Sequence, residues 1–128
     1  MEAAMGRVSV LIIGVIGLFM SVSACDSGKP TGGAETALMS PAGSAGREDN
    51  DEGVGHFRQG HWDVAAEWFQ KAIKKDANLA EAHFNLALTL DKMGKHDEAT
   101  AEFKKAAELA PTNVAIKDSP ILKKHLGM

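Results

Sequence analysis

Shifted by 34 positions, the second half of the chain falls on itself. Gly60 meets Gly94, Asp63 meets Asp97, Ala65 meets Ala99, Phe69 meets Phe103, Lys71 meets Lys105 and Ala72 meets Ala106. A period of this size marks a supersecondary unit that cannot bury its apolar face alone and does so by stacking on a neighbour. With 128 residues there is room for one small domain, so two such units use most of the foldable chain. Aromatic residues make up 5% and Tyr is absent, while Ala is abundant, a balance that suits close-packed helices better than sheets.

Helical signals run through the repeated region. A first helix is expected over residues 49–59, ended by Gly60. A second spans 62–76, with Trp62, Ala65, Ala66, Phe69, Ala72 and Ile73 spaced three and four apart. Asn78 is placed to cap a third over 79–93, whose stripe is Ala82, Leu86, Leu90 and Met93, and Gly94 suits its left-handed end. A fourth, 96–109, opens on Asp97 and Glu98 and carries Lys104 and Lys105 later, complementing the helix dipole. Pro111 prevents its continuation. Ser119-Pro120 reads as a cap with proline at the first helical position, and Gly127 closes a short helix over 120–126.

The second copy, Ala80-Glu81-Ala82-His83-Phe84-Asn85-Leu86-Ala87 followed by Gly94, Asp97-Glu98-Ala99, Phe103, Ala106 and Pro111, resembles the tetratricopeptide repeat family. Small residues at 87 and 99 fit a helix crossing, Phe103 a gap between helix pairs, and Ala106 the approach of the next helix. The family prefers Trp and Tyr where this chain has His83 and Leu90. The first copy is weaker: Asp49, Glu52 and His56 stand where bulky apolar residues are expected. The resemblance implies an all-α fold, a short α-solenoid of two antiparallel helix-turn-helix repeats at about 46–79 and 80–113. A capping helix over about 114–126 completes a domain spanning 48–127. Two repeats are fewer than the three or more that normally bury a continuous core, so the cap or a partner must supply a layer.

Upstream, residues 1–24 read as an export signal: Arg7, then an apolar run over 8–20, then small residues. That run falls short of the roughly 20 residues that span a bilayer. Val22-Ser23-Ala24-Cys25 resembles the lipobox of bacterial lipoproteins, which implies acylation of Cys25 as the new N-terminus and anchoring by its acyl chains. Asp26 resembles an inner-membrane retention signal, with the outer membrane as the alternative. Residues 26–47 hold five Gly, two Pro and three Ser, so 25–47 is expected to be the lipidated Cys and a flexible linker.

By the same family resemblance, the concave face is lined by the first helix of each pair. Its exposed candidates are Asn50, Val54 and Phe57 from the first copy and Phe84, Asn85, Leu88 and Lys92 from the second. Asn85 matches a family position that bonds the backbone of a bound peptide. A net charge of −3 without a basic patch argues against nucleic acid. The five His (56, 61, 83, 96 and 125) show no tight ligand spacing, and neither a nucleophile arrangement nor a phosphate loop occurs. The expectation is therefore no catalytic residue, no metal ligand and no cofactor apart from the lipid. The function expected is a periplasm-facing, membrane-anchored adaptor or assembly factor that binds another protein or peptide segment in the cell envelope. A self-associating structural module, as a homodimer, stands as the alternative, and a His-ligated metal or haem carrier as a third.

Overall fold

The computed structural model describes residues 36–128, which build six helices and no strand. These are α1 (Arg47–Arg58), α2 (Trp62–Lys75), α3 (Ala80–Lys92), α4 (His96–Leu109), α5 (Val114–Lys117) and α6 (Pro120–Leu126). The expected export signal, the lipidation expected at Cys25 and the sorting signal expected at Asp26 fall outside the described residues.

Each repeat turns in the same way. After α1, the N–H of Gly60 bonds to the Phe57 carbonyl and that of His61 to the His56 carbonyl, both at 3.0 Å. After α3, Gly94 bonds to Asp91 at 3.0 Å and Lys95 to Leu90 at 2.9 Å, the same two bonds one full period on. Gly60 and Gly94 both have φ +77°, a left-handed conformation that costs glycine little and closes the carbonyl-capping turn. So short a turn leaves each helix pair no arrangement but antiparallel.

The matched small and aromatic positions form the core. Ala65, Ala72, Ala99 and Ala106 are fully buried, and so are Phe69 and Phe103. Phe69 packs where α1 offers Gly53, and Phe103 meets Phe84 edge-on at 5.6 Å. Helix α3 lies at the centre, packed against α1, α2 and α4, with residues 82–90 all buried.

The poorly matched α1 is nevertheless a full 12-residue helix. Of its misplaced polar groups, Asp49 is buried and pairs with Lys75 of α2, while His56 Nε2 lies 3.6 Å from Glu52 and its buried Nδ1 has no hydrogen-bond partner among the described residues. At the start of α3 the expectation of an Asn78 cap fails. Leu79 takes the cap position, and the Asn78 N–H instead bonds to Asp76 Oδ1 at 3.1 Å, forming an Asx turn that precedes the helix.

The cap is two helices rather than one over 114–126. Its register explains the break. One period after α3, α5 and α6 together hold the place of the first helix of a third repeat. Pro120 falls where Leu86 stands in α3, and a proline there has no N–H to continue the ladder. The chain restarts at Ser119, whose hydroxyl accepts the Leu122 N–H at 3.3 Å. Ile116 and Leu122 are buried and close the apolar side of the second repeat. No helix among the described residues is long and apolar enough to cross a membrane.

Candidate functional site

The concave face between α1 and α3 is covered by the chain's own residues 36–40. Sequence composition points to a flexible linker through residue 47, but the structure corrects this for 36–46. Ala37 is buried, and α1 begins at Arg47. The expectation fails because the glycines scattered over 26–47 mask one short apolar run, Ala37-Leu38-Met39, with a groove to meet it.

The contacts are mostly to backbone. Asn85 Oδ1 accepts the Leu38 N–H at 2.6 Å, and Asn85 Nδ2 donates to the Leu38 carbonyl at 2.7 Å. Asn50 Nδ2 donates to the same carbonyl at 2.9 Å, while Asn50 Oδ1 accepts from Asn85 Nδ2 at 2.8 Å. Asp51 Oδ1 accepts the Ser40 N–H at 3.0 Å. Asp51 and Asn85 occupy the same place in their repeats, and they take N–H groups at alternate positions of the segment. Donors at i and i+2 on one side are what an extended chain presents. The segment therefore runs from the second repeat back to the first, one backbone donor per repeat.

This placement corrects the expectation that the groove candidates are exposed. Asn50, Val54, Phe57, Phe84, Asn85 and Leu88 are all buried, and only Lys92 is exposed. Asn50 and Asn85 are brought together under the segment; Val54, Phe57, Phe84 and Leu88 belong to the core below it. Sequence reasoning misses Asp51, although its position one period before Asn85 is the signal that marks it. Beside the segment the face stays open, as a depression of about 290 Å³ lined by Leu38, Phe84, Val114 and Pro120 among others.

A second polar cluster lies under the cap. His96 Nδ1 is 2.8 Å and His125 Nε2 2.9 Å from Asp91 Oδ1, and Thr100 Oγ1 is 2.7 Å from His125 Nδ1. Burial works against the Asp91 carboxylate, but the bonds to His96 and His125 outweigh it and hold the carboxyl below its ordinary range. Spacing along the chain hides this group because its members come from α3, α4 and α6. The relevant signal is again the period: His125 lies one full repeat after Asp91, at the same repeat position.

His83 is buried between repeats. Its Nε2 meets the Ala77 carbonyl at 3.0 Å and its Nδ1 meets Glu102 Oε2 at 2.6 Å. It fills an aromatic-type position of the repeat by bonding α4 to the turn before α3.

No curated protein matches the chain. A family profile described as Tetratricopeptide repeat matches residues 50–114, a span that runs from the first turn of α1 through the end of α4. By that match, its repeat period and its paired helices, the chain belongs to the tetratricopeptide repeat family.

Proposed function

We propose that the chain is a lipid-anchored interaction module of the cell envelope. It binds an extended segment of another protein along the concave face of its repeats, as an adaptor or assembly factor rather than a catalyst. Repeats of this family mediate protein–protein interaction, which supports the general role. The observation that carries the finer reading is the grip of Asp51 and Asn85 on the Ser40 and Leu38 N–H groups. Side chains that bond a backbone at alternate positions recognise an extended peptide whatever its side chains, and the groove's own segment stands where such a peptide would lie.

On this reading residues 36–40 are a built-in competitor, and a partner binds either by displacing them or by extending along the open depression beside them. Covalent tethering gives the segment a high effective concentration, so a competing partner needs added contacts, for which Val114 in the open depression is placed. Anchoring through Cys25 would present the face close to the membrane, with Asp26 favouring the inner one.

Deleting residues 36–40 tests the groove. Crosslinking of a partner in intact cells should rise, and adding Asn85→Ala to the deletion should remove the gain; crosslinking indifferent to both changes would reject the groove. Labelling with a radioactive fatty acid, lost in Cys25→Ser, tests the anchor separately.

A further inference from the structure

The cluster under the cap gathers three side chains of metal-ligand type around one carboxylate oxygen. His125 Nε2 lies 2.9 Å from Asp91 Oδ1, and His96 Nδ1 lies 2.8 Å from the same atom. Thr100 Oγ1, 2.8 Å from the His96 carbonyl and 2.7 Å from His125 Nδ1, holds the far side of the His125 ring, so that Nε2 faces the carboxylate.

The surroundings are those of a metal-ligating imidazole. The far nitrogen of His125 is fixed by a hydroxyl, as ligating histidines are commonly fixed by an outer partner. Its ring packs on Phe103 at 5.0 Å, and its side chain is 9% exposed. His96 approaches the same carboxylate oxygen from the first turn of α4, with its ring centroid 6.1 Å from that of His125. One donor atom from each of Asp91, His96 and His125 lies within 4.8 Å of the others. Donors about 2.0 Å from a tetrahedral zinc sit roughly 3.3 Å apart, so small side-chain shifts suffice, and exposed His96 can make the largest.

We propose that Asp91, His96 and His125 form a binding site for a divalent late-transition cation, of which zinc is the representative. Two imidazoles and one carboxylate suit this class better than magnesium or calcium, which prefer all-oxygen sets. Three protein ligands leave a fourth position open towards a depression of about 360 Å³, where water or a ligand from a partner completes the shell. The ion ties the end of α3, the start of α4 and the cap helix α6 together. Lys124, exposed on the rim of the same depression, opposes the cation's charge.

The test is calorimetric titration of Zn²⁺ alone into the full chain in detergent micelles. One ion per chain is expected, with binding weakened at least tenfold by His96→Ala and by Asp91→Asn and tightened by Lys124→Met. His96→Ala removes an exposed side chain, so its circular dichroism should match the parent and folding does not confound the result. Co²⁺ in place of Zn²⁺ should give visible d–d absorption that His96→Ala diminishes. Failure to take up one ion, uptake undiminished in both weakening variants, or uptake lost only in Cys25→Ser or His61→Ala would overturn the assignment.

Discussion

Asn85 holds both backbone polar groups of Leu38, accepting its N–H at 2.6 Å and donating to its carbonyl at 2.7 Å, across 47 residues of sequence. The carboxamide can do this because it carries a donor and an acceptor side by side, which neither Asp nor Leu does. Asn50 supports it by accepting from the same amide nitrogen at 2.8 Å. Asn85→Ala removes these bonds and leaves Asn50 short of a donor, for an expected loss of about 2–3 kcal/mol. Urea unfolding measures the loss, and hydrogen exchange at the Leu38 amide should accelerate more than at amides of α4. A double cycle with Asn50→Ala should show coupling, since the two share a network.

What the sequence reveals and what it hides divide along one physical line. Helix positions, the Gly60 and Gly94 turns and the Phe69 and Phe103 core sites are set by spacing within a single repeat, and periodicity reads such spacing directly. The linker segment on the groove is hidden because its affinity comes from backbone groups, which every residue has. The Asp91, His96 and His125 cluster is hidden because α6 must first fold back on α4. The burial of Phe84 and Leu88 escapes sequence reading for a related reason: in a two-repeat domain the central helix α3 is enclosed from almost every side.

Gly53 and Gly55 make a matched pair on one helix. A Cβ on Gly53 would lie 2.6 Å from Cε1 of Phe69, a fully buried ring with no room to retreat, whereas one on Gly55 meets nothing within 4 Å. Gly53→Ala should therefore destabilise by about 1–3 kcal/mol through overpacking. Gly55→Ala should stabilise by about 0.5–1 kcal/mol from helix propensity alone. Opposite movements of the urea midpoint check the pair, and equal movements would mean that Phe69 does not pack against α1.

His83 makes stability depend on pH. Burial lowers its pKa, but the bonds to Glu102 and the Ala77 carbonyl outweigh both that and the repulsion of Lys105, so it lies above the ordinary histidine value of 6.5. A raised folded pKa means that the native state holds its proton more tightly than the unfolded chain does. The stabilisation is full below about pH 6.5 and is lost as pH rises through the raised value. Thermal midpoints should therefore fall from mildly acidic to mildly alkaline pH, and Glu102→Gln should flatten the decline.

Val114 offers a way to probe the concave face without unfolding the domain. Phe84 and Leu88 are unsuitable, because both are core residues: Phe84→Ala should cost about 3–5 kcal/mol and Leu88→Asp would bury a charge. Val114 lines the open depression beside Leu38 and Phe84 yet is 65% exposed. It sits at the first position of α5, where an aspartate also suits the N-terminal end of a helix. Val114→Asp should thus change stability by no more than about 0.5 kcal/mol. If a partner chain runs along this face, the same change places a charge in its apolar contact, and crosslinking in cells should drop while the urea midpoint stays put. A drop in both together would instead mark Val114 as part of the cap's own packing.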